Sequence, residues 1–408
     1  MRVMRGNGRK SIPQWPGKPV PLPHAKFALD QTTMQTPFPT ISWSEPGSEF
    51  SMRWRSESGF QPPKKIIVGD DRLTADTAVR LASEGSSILW RGDYHNARQL
   101  LQAMARRFDR KPRKPAATLR EAFNLHRQAQ SQKARILGML LIPVDAGHVI
   151  PLRRAPDVRS ACIEAYGPAD EGYVLSLREL LGVIGAHEWR RNGVPIAALG
   201  GDRIHPHYGV FSPVRGEYLE LVEQAPLPSA ELAFDIGTGT GVLAAILARR
   251  GVKKIVATDM QERALACAQD NLERLNLTQQ VTLVQADLYP PGRAGLVVCN
   301  PPWLPGRPSS ILEQAVYDPD SRMLKGFLDG LRDHLLPGGE GWLILSDFAE
   351  LLGLRSRDDL LAMIDRAGLV VLGRTDIRPR HPKSTDASDP LHAARRQEVT
   401  SLWQLAAK

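Results

Sequence analysis

Apolar and polar positions alternate in regular blocks through the second half of the chain. Short apolar runs predict strands at 231–236, 254–259, 281–286, 295–299, 341–346, 369–377 and 399–405. Between them, apolar residues at helical spacing predict helices at 241–250, 261–275, 321–335 and 356–367. Alternation of this kind predicts an α/β fold, a parallel sheet with helices on both faces. No helix is predicted between the last two strands, so 399–405 should run antiparallel.

The pattern upstream of residue 201 is globular but less regular. Apolar runs predict strands at 66–68, 87–90, 139–144 and 148–152, and the last two lie close enough to pair as a ribbon. Helical spacing predicts helices at 74–84, 96–108, 119–133, 157–166 and 175–185. We therefore expect an α+β auxiliary domain over 66–200 and a catalytic domain over 201–408.

Residues 1–65 are rich in Pro, Gly, Ser and Arg and show no apolar periodicity. Such a composition is typical of disorder, because too little apolar surface is available to offset the loss of chain entropy. The sequence leaves open a second explanation, in which the protein begins at Met34 or Met52.

The chain of 408 residues carries a formal net charge of +9, which favours an acidic partner such as RNA or a ribonucleoprotein. Its three cysteines, Cys162, Cys267 and Cys299, have no C-x-x-C spacing. They predict neither a disulfide framework nor a zinc site, so we expect a reducing, cytoplasmic location. No apolar run approaches the roughly 20 residues of a membrane span.

Two histidine-containing segments invite a metal interpretation, and neither supports it. In His187–Arg191 the second histidine of H-E-x-x-H is replaced by Arg191. His205 and His207 have no third candidate ligand nearby. We expect no metal.

Basic residues concentrate in two segments that could contact nucleic acid. The first, residues 106–135, begins with the densest positive run of the chain, Arg106–Pro115. It is either a solvated linker or an arm that contacts phosphates. The second, residues 378–396, lies in an insertion between the last two strands, and Leu304–Asp320 forms another insertion. We expect both insertions on the rim that faces the substrate, although a tolerated surface loop is the alternative for the second.

The strongest chemical signal is a pair of motifs at the ends of two predicted strands. The first is Phe234–Gly241, in which glycines at 237, 239 and 241 turn directly into a helix. Glycines allow close approach of the backbone to a ligand, and a helix start offers unpaired N–H groups. The second is the elbow Asn300–Trp303, with the sequence Asn-Pro-Pro-Trp. Between them Asp259 ends a strand, where a carboxylate suits ribose hydroxyls.

Together these motifs resemble the class I S-adenosylmethionine-dependent methyltransferases, in the branch that methylates planar nitrogen. The resemblance covers about residues 203–408 and implies a Rossmann-like, seven-stranded methyltransferase sheet. It also implies S-adenosylmethionine as the cofactor. The implied cofactor-binding residues are Phe211, Asp235, Gly237, Thr238, Gly239, Gly241, Asp259, Asp287, Leu288 and Asn300.

Within that resemblance each carboxylate has an implied contact. Asp235 lies near the ammonium group of the cofactor, Asp259 accepts the ribose hydroxyls, and Asp287 accepts the adenine amino group. Each could instead serve as a helix cap or turn residue. Phe211 is the candidate for a side chain that closes over the cofactor.

The elbow suits transfer to a nitrogen whose lone pair is delocalised. The Asn300 side-chain oxygen and the Pro301 carbonyl can accept the two hydrogens of such a nitrogen. This would direct its lone pair towards the methyl group and stabilise the developing positive charge. Pro301 and Pro302 lack N–H groups and fix φ, and Trp303 offers a flat face for stacking. These four residues are the catalytic candidates.

The function stays open among three possibilities, of which two differ in the acceptor and the third has no activity. The elbow resembles that of HemK-type enzymes, which methylate a glutamine amide in translation proteins, and we expect this acceptor. Ribosomal RNA guanine or adenine N-methyltransferases have a similar elbow, and both families usually carry Tyr or Phe where this chain has Trp303. Tyr317–Pro319 is closer to the HemK pattern, and the basic segments favour RNA. A non-catalytic docking module is the remaining alternative.

Overall fold

A computed structural model describes residues 38–109, 116–214, 216–308, 312–380, 386–387 and 389–408. Residues 38–408 fall in one compact unit, which contains a six-stranded and a seven-stranded sheet. Among the described residues, no helix combines the length and the apolar character required to cross a bilayer.

The N-terminal half is built on the six-stranded sheet. Its strands are β1 (Thr40–Glu45), β2 (Ser48–Trp54), β3 (Ile66–Gly69), β4 (Ser87–Trp90), β5 (Leu140–Val144) and β6 (Tyr173–Ser176). Its helices are α1 (Ala75–Ser83), α2 (Tyr94–Asp109), α3 (Leu119–Leu137), α4 (Arg159–Tyr166) and α5 (Leu177–Asn192). The order is β1-β2-β6-β5-β4-β3, with β3, β4 and β5 parallel.

The expected disorder of residues 1–65 is wrong for residues 38–65. Here β1 and β2 form an antiparallel hairpin, and β2 joins the sheet beside β6. Ile41, Trp43 and Trp54 are buried against β4, β5 and β6. The sheet supplies the apolar partners that the local sequence lacks, so the auxiliary domain includes these strands. The part of the expectation that concerns residues 1–37 lies outside the described residues.

The expected ribbon of 139–144 with 148–152 is also wrong. β5 pairs antiparallel with β6, whereas the chain after Val144 turns through a short 3-10 segment, Ala146–His148. Only one bridge, Asp145 with Val149, forms there. The pairing with β6 is preferred because both β5 and β6 are fully buried, whereas Val149 is exposed.

The hairpin leads to a stability prediction. We expect Ile41→Val, at a side chain that is 3% exposed, to lower the free energy of unfolding by about 1 kcal/mol, the usual cost of deleting a buried methyl group. The matched control is Ile163→Val at a position that is 52% exposed, where we expect almost no change. Denaturant unfolding of the two variants measures both. Equal stability would mean that the hairpin is not folded in solution.

A connector and the seven-stranded sheet complete the chain. The connector holds β7 (Val194–Pro195), β8 (Arg203–Ile204) and α6 (Glu217–Gln224). The sheet and its loops hold β9 (Leu232–Ile236), β10 (Lys254–Asp259), β11 (Val281–Gln285), β12 (Ala294–Cys299), β13 (Leu304–Pro305), β14 (Tyr317–Asp318), β15 (Leu335–Ser346), β16 (Leu369–Ile377) and β17 (Thr400–Ala407). The helices are α7 (Val242–Arg249), α8 (Glu262–Arg274), α9 (Arg322–His334), α10 (Phe348–Leu351), α11 (Arg357–Arg366) and α12 (His392–Arg395).

The predicted strands and helices of this half are confirmed. The sheet order is β11-β10-β9-β12-β15-β17-β16, with β17 antiparallel to both of its neighbours, as expected. A one-turn helix that the sequence did not predict, α12, lies between β16 and β17, but it is too short to act as a crossover helix. Apolar faces of α6 and α7 pack on one side of the sheet and those of α9 and α11 on the other. This is the Rossmann-like methyltransferase arrangement that the sequence predicted.

Candidate functional site

The two motifs lie side by side at the centre of the seven-stranded sheet. β9 and β12 are parallel neighbours, with Ile236 opposite Cys299, so the glycine turn and the elbow follow the same edge. Strand order reverses between these two strands, because the chain leaves β9 towards β10 and returns at β12. Ligands of open α/β sheets bind at such a switch point.

The glycine turn is open to a ligand in its middle and packed at its ends. Gly237, Gly239 and Gly241 have φ values of 71°, 56° and 80°, which L side chains rarely adopt. A Cβ on Gly239 would meet nothing within 4 Å, whereas one on Gly241 would lie 3.2 Å from Ala268 Cβ. The Thr238 N–H donates to the Thr258 carbonyl at 2.8 Å. The turn thus presents Gly239 to the space beyond the sheet.

Asp235 lies beneath this turn with 0% of its surface exposed. Its Oδ2 accepts from Thr238 Oγ1 at 2.6 Å and from the Ala244 N–H at 3.1 Å. Its Oδ1 is buried and has no hydrogen-bond partner among the described residues. Burial raises the pKa of this carboxyl to about 6. A buried carboxylate oxygen without a donor fits a cationic group, such as the ammonium group of the cofactor.

The two other predicted carboxylates differ in environment. Asp259 is half-buried at the end of β10, where its Oδ2 accepts from the Gly239 N–H at 3.1 Å and its Oδ1 from the Gln261 N–H at 3.0 Å. Burial raises its pKa. Asp287 has a side chain that is 54% exposed and pairs with Arg322. Asp259 therefore belongs to the glycine turn, whereas Asp287 lies at the outer margin.

Leu288 and Phe211 occupy the remaining predicted cofactor positions. Leu288 has φ 79°, and its carbonyl accepts from Thr258 Oγ1 at 2.5 Å, which ties the chain after β11 to the end of β10. Phe211 is 39% exposed in the connector before α6. Its closure over the cofactor stays a prediction.

The elbow is held by an internal hydrogen bond that the motif alone does not reveal. Trp303 Nε1 donates to Asn300 Oδ1 at 2.9 Å, which fixes both the amide plane and the indole ring. One lone pair of Oδ1 remains available to a second donor. Pro301 is buried and Pro302 half-buried. The acceptor atoms of the elbow are thus preorganised.

Tyr218 is a site residue that the sequence did not indicate. It is buried on α6, and its ring meets Trp303 edge to face, with centroids 6.5 Å apart. Burial and nearby Asp235 raise the pKa of its phenol, and a hydrogen bond with Asn300 acts in the opposite direction. Tyr218 is far from the elbow along the chain, so the sequence does not predict their contact. The apolar face of α6 predicts only that Tyr218 is buried.

Met323 and Asp318 were also missed. A Cβ on Gly237 would lie 2.4 Å from Met323 Cε, so this side chain covers the start of the glycine turn. Asp318 is buried, and its two oxygens accept from the Met323 N–H at 3.0 Å and the Leu324 N–H at 3.1 Å. It thereby fixes the start of α9 beside the site.

The second insertion is packed more than expected. Within 378–396, Leu391 and Ala394 are buried in a cluster with Phe123 and Phe348, and Arg395 pairs with Asp389 at 2.8 Å. The apolar residues of its helical part join a core, and its expected position on the rim that faces the substrate stays a prediction. Residues 381–385 lie outside the described residues.

The first basic segment, 106–135, is likewise partly committed to internal contacts. Arg107 pairs with Asp76, and Lys133 pairs with Asp109 at 2.6 Å. Arg120 and Arg135 are exposed on α3. Residues 110–115 lie outside the described residues, so the phosphate-contacting arm stays a prediction.

Comparisons with known proteins agree with the geometry. The methyltransferase small domain family matches residues 203–352. The release factor glutamine methyltransferase of Geobacter sulfurreducens is 32% identical over 36% of this chain and 55% of its own. The tRNA1(Val) (adenine(37)-N6)-methyltransferase of Shewanella loihica is 30% identical over 33% of this chain and 59% of its own.

A shorter match links the chain to a third enzyme. The ribosomal protein L11 methyltransferase of Pelotomaculum thermopropionicum is 40% identical over 20% of this chain and 27% of its own. The chain thus spans between 27% and 59% of the length of these three relatives. The matched methyltransferase small domain covers the glycine turn, the elbow and α9. Over this segment the chain is similar to class I S-adenosylmethionine-dependent methyltransferases of the HemK-like, small-domain branch.

Proposed function

We propose that this protein transfers a methyl group from S-adenosylmethionine to a planar nitrogen, and that the nitrogen is a glutamine side-chain amide of a translation-related protein. The observation that carries the proposal is the Trp303–Asn300 hydrogen bond beside the glycine turn. It holds an amide oxygen at the end of the central strands, where an acceptor nitrogen must lie to meet the methyl group.

The protein's own residues would bind the cofactor on the β9 and β10 side. The open backbone at Gly239, the unpartnered Oδ1 of Asp235 and the half-buried carboxylate of Asp259 fit its methionine and ribose portions. When bound, the cofactor supplies a methyl group on a sulfonium, and the transfer is an in-line displacement. The remaining contribution of the protein is orientation and the exclusion of water.

The elbow would orient the acceptor. Asn300 Oδ1 and the Pro301 carbonyl accept the two N–H hydrogens, which turns the nitrogen lone pair towards the methyl carbon. With the acceptor held in this way, its nitrogen would take the methyl group that the bound cofactor supplies and would release one proton to solvent. Cys299 takes no part, because it is buried in β12 and burial raises its pKa well above the usual value.

A base nitrogen of RNA is the second candidate. It is favoured by similarity to the tRNA adenine enzyme of Shewanella loihica and by the exposed arginines of α3. The relatives act on release factors, ribosomal protein L11 and tRNA by their names, so translation-related acceptors are the consistent choice. A docking module without activity is disfavoured by the preorganised elbow.

The test is incubation of the full chain with methyl-labelled cofactor and separate acceptor pools. The pools are release factors, ribosomal proteins and deproteinised RNA. Label in a glutamine residue of a protein pool supports the proposal, and label only in RNA bases selects the second candidate. No transfer in any pool, with the cofactor bound, would favour a docking module.

Cofactor binding should depend on pH through Asp235. Its pKa of about 6 in the folded protein exceeds the usual 3.8, so its contribution to apo stability is present at low pH and is lost as pH rises through about 6. A bound ammonium group requires the ionised form. We therefore expect the affinity for S-adenosylmethionine to fall up to about tenfold per pH unit below pH 6.

The Asp235→Asn variant should show a weaker pH dependence of cofactor affinity, because it lacks one titrating group. The amide stays neutral at every pH, so the variant should bind more weakly at pH 8 and show a shallower decline at low pH. The raised pKa of Asp259 leaves a residual slope. Calorimetric titrations of both proteins between pH 5 and pH 8 measure the difference. Identical slopes would remove Asp235 from the ammonium site.

A further inference from the structure

Helix α3 belongs to both halves of the molecule. At its C-terminal end Ile136 and Leu137 are buried in the core of the auxiliary domain. Nearer its start Phe123 is buried with Leu304, Phe348 and Leu391, which belong to the catalytic half. A helix of 19 residues is about 28 Å long. It can therefore connect the two cores as a single rigid element.

Arg127 lies one turn after Phe123 and contacts the post-elbow segment, which we define as the described residues 304–308 and 312–320. Its guanidinium carbon lies 3.9 Å from the centre of the Tyr317 ring. Its Nη2 donates to the Arg307 carbonyl at 2.6 Å, and its Nη1 is 4.0 Å from Glu313 Oε2. One arginine thus contacts the segment at three separated points.

One of these contacts is incomplete. Nη1 is buried and makes no hydrogen bond within the part of the chain that the structure describes, and its distance to Glu313 exceeds hydrogen-bond range by roughly 1 Å. Leaving a buried N–H of a charged group unsatisfied is unfavourable. Arg127 therefore holds the segment mainly through the Tyr317 ring and the Arg307 carbonyl.

The post-elbow segment is linked in turn to both motifs of the site. Leu304 follows Trp303 directly, and β13 pairs with β14 through the Leu304 N–H to the Val316 carbonyl at 3.1 Å. In β14, Asp318 holds the N–H of Met323, whose side chain covers Gly237. A displacement of Tyr317 would therefore be transmitted both to the elbow and to the glycine turn.

We propose that Arg127 is a positioning residue: it clamps the post-elbow segment from the auxiliary domain and thereby keeps Trp303 and Asn300 aligned for the acceptor. The planar guanidinium stacks on one side chain while it binds a carbonyl, a combination that lysine cannot reproduce. That the alignment serves an acceptor rests on the proposed function. The contacts of Arg127 with the segment can be tested without any substrate.

The test compares Arg127→Gln, Arg127→Lys and a matched control, Arg178→Gln. Arg178 is an exposed arginine of α5, and it lies outside both candidate RNA-contacting segments. In the full chain without acceptor, hydrogen exchange is measured in residues 304–308 and 312–320. We expect faster exchange in Arg127→Gln, an intermediate rate in Arg127→Lys and the wild-type rate in the control. If exchange in these residues were unchanged in Arg127→Gln, the proposal that Arg127 holds the segment would be contradicted.

Kinetics then test the consequence of the clamp. In Arg127→Gln we expect the single-turnover rate to fall on the order of tenfold, because misplacement of reacting groups is costly. Cofactor affinity should change much less than the rate, because the segment reaches the glycine turn only indirectly, through Met323. Unchanged exchange in β9 and β12 shows that the variant is folded. Faster exchange with a wild-type rate would overturn the positioning role. Failure of the wild-type chain to methylate any acceptor would instead remove the proposed function and leave the exchange result standing.

Discussion

Asn300→Ala is expected to lower the single-turnover rate of methyl transfer by a factor on the order of 10² or more, the scale seen when one preorganised transition-state contact is removed. The resemblance also counts Asn300 among the cofactor-binding residues, but the affinity for S-adenosylmethionine should fall far less than the rate, because the proposed contacts of its side-chain oxygen are to the acceptor. The change also leaves the indole N–H of Trp303 without its partner at 2.9 Å, so the elbow loses orientation as well as an acceptor atom.

The partner residue provides a graded control. Trp303→Phe keeps a flat ring but cannot donate to Asn300 Oδ1, so the amide should be present but free to rotate. We expect a loss of rate smaller than that of Asn300→Ala, again with cofactor affinity retained. Trp303→Tyr should be milder than Trp303→Phe, because Tyr keeps a flat ring and also a hydrogen-bond donor. Wild-type turnover in Asn300→Ala would refute the acceptor-binding role of the elbow.

The catalytic sheet could be predicted because its strands carry their signal locally. β9, β12 and the second half of β15, from Trp342 to Leu345, are largely apolar and buried, as buried parallel strands require. The glycine turn comes directly after β9 and the elbow directly after β12, so the sheet order places the two motifs next to each other. The sequence therefore predicts that Asp235, Asp259 and Asn300 lie near one another.

The auxiliary domain was harder because its pairings are distant in sequence. β2 lies beside β6 through Trp54 and Val174, and no local pattern indicates such a partner. The polar and proline-rich surroundings of β1 also resemble a disordered segment. The same limit concealed Tyr218 and Arg127, whose roles depend on side chains that meet far along the chain, at Trp303 and Tyr317.

Asp259→Ala is expected to abolish measurable cofactor binding at ordinary concentrations. Loss of two hydrogen bonds to a charged acceptor costs about 1.5–3 kcal/mol each, which corresponds to roughly 10²–10⁴ in affinity. The side chain also holds the Gly239 N–H at 3.1 Å, so its removal loosens the glycine turn and adds to the loss.

Asp287→Ala is the matched control, because the same substitution is made at the other carboxylate assigned to the cofactor. Its side chain is exposed and already paired with Arg322, so water can replace its contacts and an exposed pair contributes little. We expect its affinity to fall by less than about tenfold, which is roughly 1.4 kcal/mol. Calorimetry on both variants at pH 8 decides the assignment. If Asp287→Ala lost more affinity than Asp259→Ala, the ribose would have to be placed beyond β11 instead of beyond β10.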